Sequence, residues 1–390
     1  MASPTLRRMA LLDQTDRRLI GLTLLVKLAV LVAGALAYVI FEHATLHSPE
    51  GALAIWNRWD GPHYLDIAAF GYTAYDPGLP IMSKHGDLDL FMVFYPLYPW
   101  VVGGVNRLFD DPIWSAFAVT TIASLFVAPL LYRLVREDED PGVAWRAAWF
   151  LLIFPTAYFL HIGYTEALFM ALVLGSFLAA RTDRWWLAGL LGGLAALTRI
   201  NGMVLVPALA AEAWSQWLRR SPAERRLRAE WLAIGLVPVG FAIYLAVNQA
   251  VYGSPFAFLT LQRYWWYKSL ALPWDGIATT LRFTQDRVPD SALMYGWMEL
   301  LFVVIGLAAT AHAALRFRPS WFAWMAGNWL LFVSTSFVLS VPRYSLTLFP
   351  LYVSLGLASR RWWVLAAVSV VSAAGMIYFA GRFAAGHWAF

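Results

Sequence analysis

The sequence predicts an all-α fold, a polytopic transmembrane helical bundle, and three observations predict it. Hydrophobic residues make up 60% of the chain and charged residues only 14%, against roughly 25% in a soluble domain whose surface must face water. The mean hydropathy is +0.59, and the apolar residues fall in runs of the length that crosses a bilayer, about 20 residues at 1.5 Å each. Many of the 21 Trp, 17 Tyr and 25 Phe stand at the ends of those runs, where an amphipathic ring suits the headgroup region. A length of 390 residues would otherwise suggest two or three soluble domains; the hydropathy argues for one bundle, 1–390.

In chain order the candidate spans are 19–41, 113–134, 144–160, 164–180, 186–198, 202–218, 231–251, 293–314, 321–339, 345–358 and 362–380, about eleven in all. The first run is long for a signal-peptide core and no small-residue cleavage site follows it, so it reads as a span. No cysteine is present, which excludes disulfides and thiolate metal sites.

Charge orients the spans. Arg7, Arg8, Arg17 and Arg18 precede the first. Arg133, Arg136 and Arg146 flank the loop after the second, Arg181 and Arg184 follow the fourth, and Arg219, Arg220, Arg225, Arg226 and Arg228 follow the sixth. Arg316 and Arg318 follow the eighth, and Arg360 and Arg361 the tenth. Every second loop is basic, which places these loops and the N-terminus in the cytoplasm and the C-terminus outside. Two long outer segments remain, 42–112 and 252–292, rich in acids, prolines and aromatics. Stretches 65–70 and 259–270 suit helices lying on the membrane surface. Connections of this length commonly serve as lids or binding elements.

The first outer segment carries Arg58-Trp59-Asp60-Gly61-Pro62-His63-Tyr64, then Gly71-Tyr72. Asp60 before Gly and Pro suits a helix N-cap. A cap at the membrane surface beside Trp and His also suits a general base, because a carboxylate partly removed from water gains basicity. His63 follows one helical turn later on the same face. Phe94-Tyr95-Pro96-Leu97-Tyr98-Pro99 has two prolines spaced to break a regular helix, consistent with a rigid turn into the membrane or a plain loop-to-helix junction.

Polar clusters mark the outer ends of other spans: Phe154-Pro155-Thr156-Ala157-Tyr158 with His161, Tyr164, Thr165 and Glu166; Thr198-Arg199-Ile200-Asn201-Gly202; and Pro342-Arg343-Tyr344. Ionisable groups near spans are costly and point to function. Arg199 and Arg343 lie on the outer side, where the charge rule would not place them. Arginine suits a phosphate; snorkelling to headgroups or pairing with an acid such as Glu166 is the structural alternative. Asp87-Leu88-Asp89 offers two carboxylates that could share a divalent cation with a phosphate, a pattern common by chance in solvated loops. No Walker loop, HExxH or Ser-His-Asp signature is present, and the basic loops read as topology signals rather than a nucleic-acid site.

Taken together, these motifs resemble the PIG-V family of mannosyltransferases, multi-spanning enzymes of the GT-C class whose eukaryotic namesake adds the second mannose to glycosylphosphatidylinositol anchors. The matching pieces are Trp59-Asp60 with His63 and Gly71-Tyr72, Phe94 to Pro99, Pro155, Tyr164-Thr165-Glu166, Thr198-Arg199 with Asn201-Gly202, and Arg343-Tyr344 with Pro350, in order along most of the chain. The family often has Tyr-Ser-Glu where this chain has Tyr164-Thr165-Glu166. The resemblance implies an inverting transfer of mannose from a polyprenyl- or dolichyl-phosphate donor to a lipid-linked or glycolipid acceptor hydroxyl. Its base would be an acid of the first outer loop, by position Asp60. His63 would orient or polarise. Arg199, Arg343 and Tyr344 would hold the donor phosphate. Trp59, Tyr95, Tyr98, Tyr164, Glu166 and Asn201, with Trp56, would line the sugar and acceptor site. The lipid tail would lie between spans among membrane lipids, with no nucleic-acid partner. No metal cofactor is required, since arginines can supply the charge, and a divalent cation stays open through Asp87 and Asp89. The Arg-, Ala- and Trp-rich, Cys-free composition suggests a bacterial plasma-membrane protein with an extracytoplasmic site, which puts the anchor-precursor acceptor in doubt. A lipid or solute transporter or flippase would also keep polar groups in a bundle. Its paired halves with interrupted helices are not evident, and the polar groups gather at one face. A non-catalytic lipid-binding scaffold is the third class.

Overall fold

The structure, a computed structural model, describes residues 13–46, 48–72 and 88–390. Each expected span overlaps a helix. In a bilayer the backbone must satisfy its own polar groups, and a helix does so within one segment. Among the described residues five helices are long and apolar enough to cross a membrane: Gln14–Phe41, Pro112–Arg136, Ala229–Tyr252, Pro289–Arg316 and Trp362–Ala384. Trp185–Thr198 and Phe349–Ala358 are shorter apolar helices. Among the described residues the only strand-like pairing is an isolated antiparallel bridge between Leu270 and Thr335.

Local sequence sets the helix starts. Asp13 and Asp16 form a capping box at the first helix, each side chain accepting the other's backbone N–H. Asp111 and Asp140 cap the helices that open on Pro112 and Pro141, where proline's missing N–H costs nothing. Pro96 and Pro99 do not prevent a helix either. Leu97–Phe109 is helical, with Pro99 in the first turn, where N–H groups have no intrahelical acceptor. The surface stretches appear as helices Gly61–Phe70 and Ala257–Trp265.

The span expected at 144–160 is cut short. The helix Pro141–Leu152 stops before Pro155, residues 153–165 run irregularly with a 3-10 turn at Ala157–Leu160, and Glu166–Arg181 resumes the helix. This buried, non-helical backbone finds side-chain partners, as it must in an apolar setting. Lys27 Nζ donates to the His161 carbonyl at 2.7 Å, and Thr120 Oγ1 donates to the Tyr164 carbonyl at 3.4 Å. Likewise the span expected at 321–339 ends as a helix at Val333. Residues 334–336 then run beside 269–271, with Ser336 N–H donating to Ser269 O at 2.8 Å and Ala271 N–H to Ser334 O at 3.2 Å.

Small residues let two helices touch backbone to backbone. A Cβ on Gly240 would lie 1.9 Å from the Gly193 carbonyl oxygen, and one on Gly189 would lie 2.0 Å from that of Ala233. Gly189 and Gly193 have the four-residue spacing of close membrane-helix packing.

The basic loops share one end of the bundle and are tied there by ion pairs. Arg133 pairs with Asp16, Arg181 with Asp138 at 2.5 Å, Arg318 with Glu212 at 2.7 Å and Asp138 at 3.1 Å, and Arg316 with Glu139 at 3.3 Å. Many of the arginines that alternate along the sequence therefore hold this end together. The fully buried Glu212 also accepts from Ser320 Oγ at 2.7 Å.

Candidate active site

At the opposite end, residues from four parts of the chain form one ionic chain. Arg343 lies on a short helix, Val341–Ser345, and its side chain is buried. Its Nη1 donates to Asp60 Oδ2 and its Nε to Glu166 Oε1, both at 2.6 Å. Arg199, the C-cap of Trp185–Thr198, donates through Nη1 to the same Glu166 oxygen at 2.6 Å and to Thr165 Oγ1 at 2.7 Å. Glu166 opens its helix and is fully buried. The order is Asp60, Arg343, Glu166, Arg199. Each buried charge has an opposite partner, the condition under which charges persist in an apolar interior. The Arg343 guanidinium is further sandwiched near Phe159 and Tyr164, 4.6 and 4.8 Å from the ring centroids.

Asp60 sits at an N-cap position, yet its side chain makes no capping hydrogen bond. The carboxylate is turned to Arg343, and its side chain is 30% exposed while those of Arg343 and Glu166 are 6% and 0%. It is thus the edge of the ionic chain that a solvent-side molecule can reach. The turn that presents it is fixed on both sides by one phenol: Tyr164 accepts the Gly61 N–H at 3.2 Å and donates to the Arg58 carbonyl. Trp59 takes a left-handed φ of 50°, a conformation a bulky residue rarely adopts, and packs edge-on against Trp388 at 5.1 Å.

The remaining expected residues divide. Trp59 is 43% exposed beside Asp60, whereas Trp56, Tyr95 and Tyr98 are buried. Trp56 stacks with Phe383, Tyr95 stacks on Tyr244 at 4.0 Å, and Tyr98 hydrogen-bonds Thr120. Tyr164 has its hydroxyl committed to the Asp60 turn. Asn201 donates to Asn328 Oδ1 at 3.1 Å inside the bundle. His63 is buried with its ring stacked on Phe94 at 5.0 Å and edge-on to Phe91 at 6.0 Å. Tyr344 lies beneath the Arg199 guanidinium, 5.5 Å from the ring centroid. Asp87 lies outside the described residues, as does the side chain of Asp89. Among the described residues no three His, Asp or Glu side chains gather as a metal ion would need.

Two contributors escaped the sequence reading. Glu299, fully buried, accepts the Ser340 and Val341 N–H groups at 2.8 and 2.7 Å and so anchors the helix that carries Arg343. Ser340 is left-handed, with φ 66°, at this anchor. An acid alone in the apolar run 293–314 was the available signal. Lys268 is the other. Its segment reaches the site because Trp266 packs on Phe94 and residues 269–271 pair with 334–336.

Residues 95–248, which include Glu166 and Arg199, match the family model for dolichyl-phosphate-mannose-protein mannosyltransferase. GPI alpha-1,6-mannosyltransferase 2 of Rattus norvegicus is 30% identical over 224 residues, covering 51% of this chain and 43% of the relative. The Homo sapiens protein of that name is 29% identical over 163 residues, covering 40% and 31%. The matched segments thus span less than half the length of these relatives. Among solved structures, ArnT from Cupriavidus metallidurans bound to undecaprenyl phosphate superposes with a TM-score of 0.46 at 16% identity, over 89% of this chain and 62% of that one. The Archaeoglobus fulgidus oligosaccharyltransferase gives 0.43 at 14%, over 93% and 56%. By sequence, then, about half of the chain is similar to GPI alpha-1,6-mannosyltransferase 2 proteins, the namesakes of the family that its motifs resemble.

Proposed function

We propose that the protein transfers mannose from a polyprenyl-phosphate-mannose donor to the hydroxyl of a lipid-linked acceptor, with inversion, on the extracytoplasmic side of the membrane. The observation that carries this is the Asp60–Arg343–Glu166 chain, in which a partly exposed carboxylate is held by a buried arginine at 2.6 Å. The sidedness rests on the basic loops gathering at the end opposite Asp60.

A phosphate-linked sugar already carries a good leaving group. Asp60 accepts the acceptor hydroxyl proton as that oxygen attacks C1 of the mannose. The C1–O bond to phosphate breaks, its electron pair leaves with the polyprenyl phosphate, and attack from the opposite face inverts C1. General-base assistance of this kind contributes about 10²–10⁴-fold. Arg343 fixes the Asp60 carboxylate through Oδ2 and leaves Oδ1 for the acceptor, since Oδ1 has no hydrogen-bond partner among the described residues. Glu166 fixes both arginines in turn. Among the described residues Arg199 donates hydrogen bonds only through Nη1, so Nη2 and Nε are left to face the donor phosphate, where positive charge stabilises the leaving group. Trp59, exposed beside Asp60, offers a face for the sugar. His63, buried against Phe94, would act by shaping the Asp60 turn.

The test is incubation of purified protein with radiolabelled polyprenyl-phosphate-mannose and a membrane lipid extract. Label appearing in a new glycolipid supports the assignment and identifies the acceptor. Movement of intact donor across the bilayer with no new product would instead support a flippase.

A further inference from the structure

Among the described residues, one cation at the site makes no ion pair. Asp60 and Glu166 supply two carboxylates; Arg343 and Arg199 answer them at 2.6 Å. Glu299, the third acid here, gives its two oxygens to backbone N–H groups, so Lys268, although within electrostatic reach of it, has no direct carboxylate contact among the described residues. Its ammonium donates to the Leu339 carbonyl at 3.4 Å and lies 5.7 and 6.0 Å from the ring centroids of Tyr344 and Phe337. Among the described residues no carboxylate lies within ion-pair distance of it. A half-buried cation answered only by a carbonyl and two rings is unsatisfied relative to a cation with a counter-charge.

The placement of Lys268 is fixed. Ser269, the next residue, donates its N–H to Ser336 Oγ at 3.1 Å and accepts from Ser336 N–H at 2.8 Å. Leu339, which receives the ammonium, directly precedes the Ser340 and Val341 amides held by Glu299. Lys268 and Arg343 are therefore carried on two segments stitched together. The Tyr344 ring meets Lys268 at 5.7 Å and Arg199 at 5.5 Å, so it joins Lys268 to the ionic chain.

We propose that Lys268 binds the lipid phosphate of the donor, supplying the one positive charge at the site that makes no ion pair among the described residues, while Arg343 and Arg199 chiefly hold the carboxylates. The assignment rests on the reading of a polyprenyl-phosphate donor given above. A compact ammonium suits a terminal phosphate as a point charge, and it would gain interaction as the departing phosphate becomes more negative.

The experiment uses the full chain in phosphatidylcholine nanodiscs and titrates a synthetic polyprenyl phosphate, with neutral polyprenol as control. A contact between a charged group and a phosphate contributes about 1.5–3 kcal/mol, so Lys268→Ala and Lys268→Met should weaken polyprenyl phosphate by about ten- to a hundredfold. Lys268→Arg should recover most of the affinity, and polyprenol binding should not change in any variant. Wild-type preference for the phosphate that survives in both Lys268→Ala and Lys268→Met overturns the Lys268 assignment and leaves the donor reading standing. A wild type that binds polyprenyl phosphate no better than polyprenol overturns the donor reading and the assignment with it. In a second arm phosphatidylglycerol is the titrant. If Lys268→Ala weakens its binding as much as that of polyprenyl phosphate, the lysine is a general headgroup anchor and the assignment falls.

Discussion

Arg343→Lys separates positioning from mere positive charge. Arg343 reaches two carboxylates at once, Nε to Glu166 and Nη1 to Asp60, both at 2.6 Å. A lysine ammonium is a single point on a flexible stem and cannot reproduce that fork. With Glu166 fully buried and also held by Arg199, the ammonium stays with Glu166 and the Asp60 bond is lost. One hydrogen bond between charged groups contributes about 1.5–3 kcal/mol, or about ten- to a hundredfold in rate if it is needed to aim the base. The assay is kcat and donor KM for transfer from labelled polyprenyl-phosphate-mannose, in Arg343→Lys, Asp60→Asn and the double variant. The expected loss in Arg343→Lys is in kcat. In the double variant it should vanish into the Asp60→Asn loss, because an arginine that acts by aiming Asp60 has nothing left to aim. A double variant slower than Asp60→Asn by the full Arg343→Lys factor would refute the positioning role.

Four further outcomes follow from the same structure. Glu299→Gln keeps one acceptor oxygen where two backbone N–H groups now bind; it should cost about 1–3 kcal/mol in thermal or denaturant stability and lower kcat through the Arg343 helix, whereas an unchanged melt and rate would remove its anchoring role. Gly240→Val forces apart backbones that leave a Cβ only 1.9 Å; helix separation should destabilise by more than the about 1–3 kcal/mol of ordinary overpacking, and a fully stable variant would contradict the packing. At the opposite end, Arg318→Ala leaves buried Glu212 short of its bidentate partner and should destabilise by about 3–5 kcal/mol with donor KM unchanged in the folded fraction. Asp138, in the loop beside it, is raised in pKa by burial but lowered more by Arg181 and Arg318, for a net value below the usual aspartate range. A depressed folded value means stability that is present above the unfolded pKa, about 4, and lost as pH falls through the folded one; the wild-type melting temperature should drop below about pH 4 more steeply than that of Asp138→Asn.

What could be read in advance follows from what the bilayer enforces. Spans and basic loops were legible because length, apolarity and arginine placement are each constrained locally. Glu166, Arg199 and Arg343 were conspicuous for the same reason, as charges where charge is costly. Their pairing was not legible. Asp60 and Arg343 are 283 positions apart, and the packing of the helices that carry the four segments, which no local pattern encodes, brings them to one end. The burial of Tyr95 and Tyr98 was not legible, because an aromatic near a helix start suits a core as well as a surface; Tyr95 packs on Tyr244 and Tyr98 bonds Thr120. Phe94 to Pro99 suits a rigid turn and a loop-to-helix junction equally in sequence, and the structure has the junction, with Pro99 in the first turn. Lys268 had no local signal; its meaning appears only once the two carboxylates are matched to the two arginines.

The most direct test of the catalytic assignment is single-turnover transfer from labelled polyprenyl-phosphate-mannose by Asp60→Asn, with donor affinity measured on the same preparation. Transfer should fall by at least the about 10²–10⁴-fold of a general base while donor affinity stays within about threefold of wild type. Transfer at the wild-type rate in Asp60→Asn would contradict it.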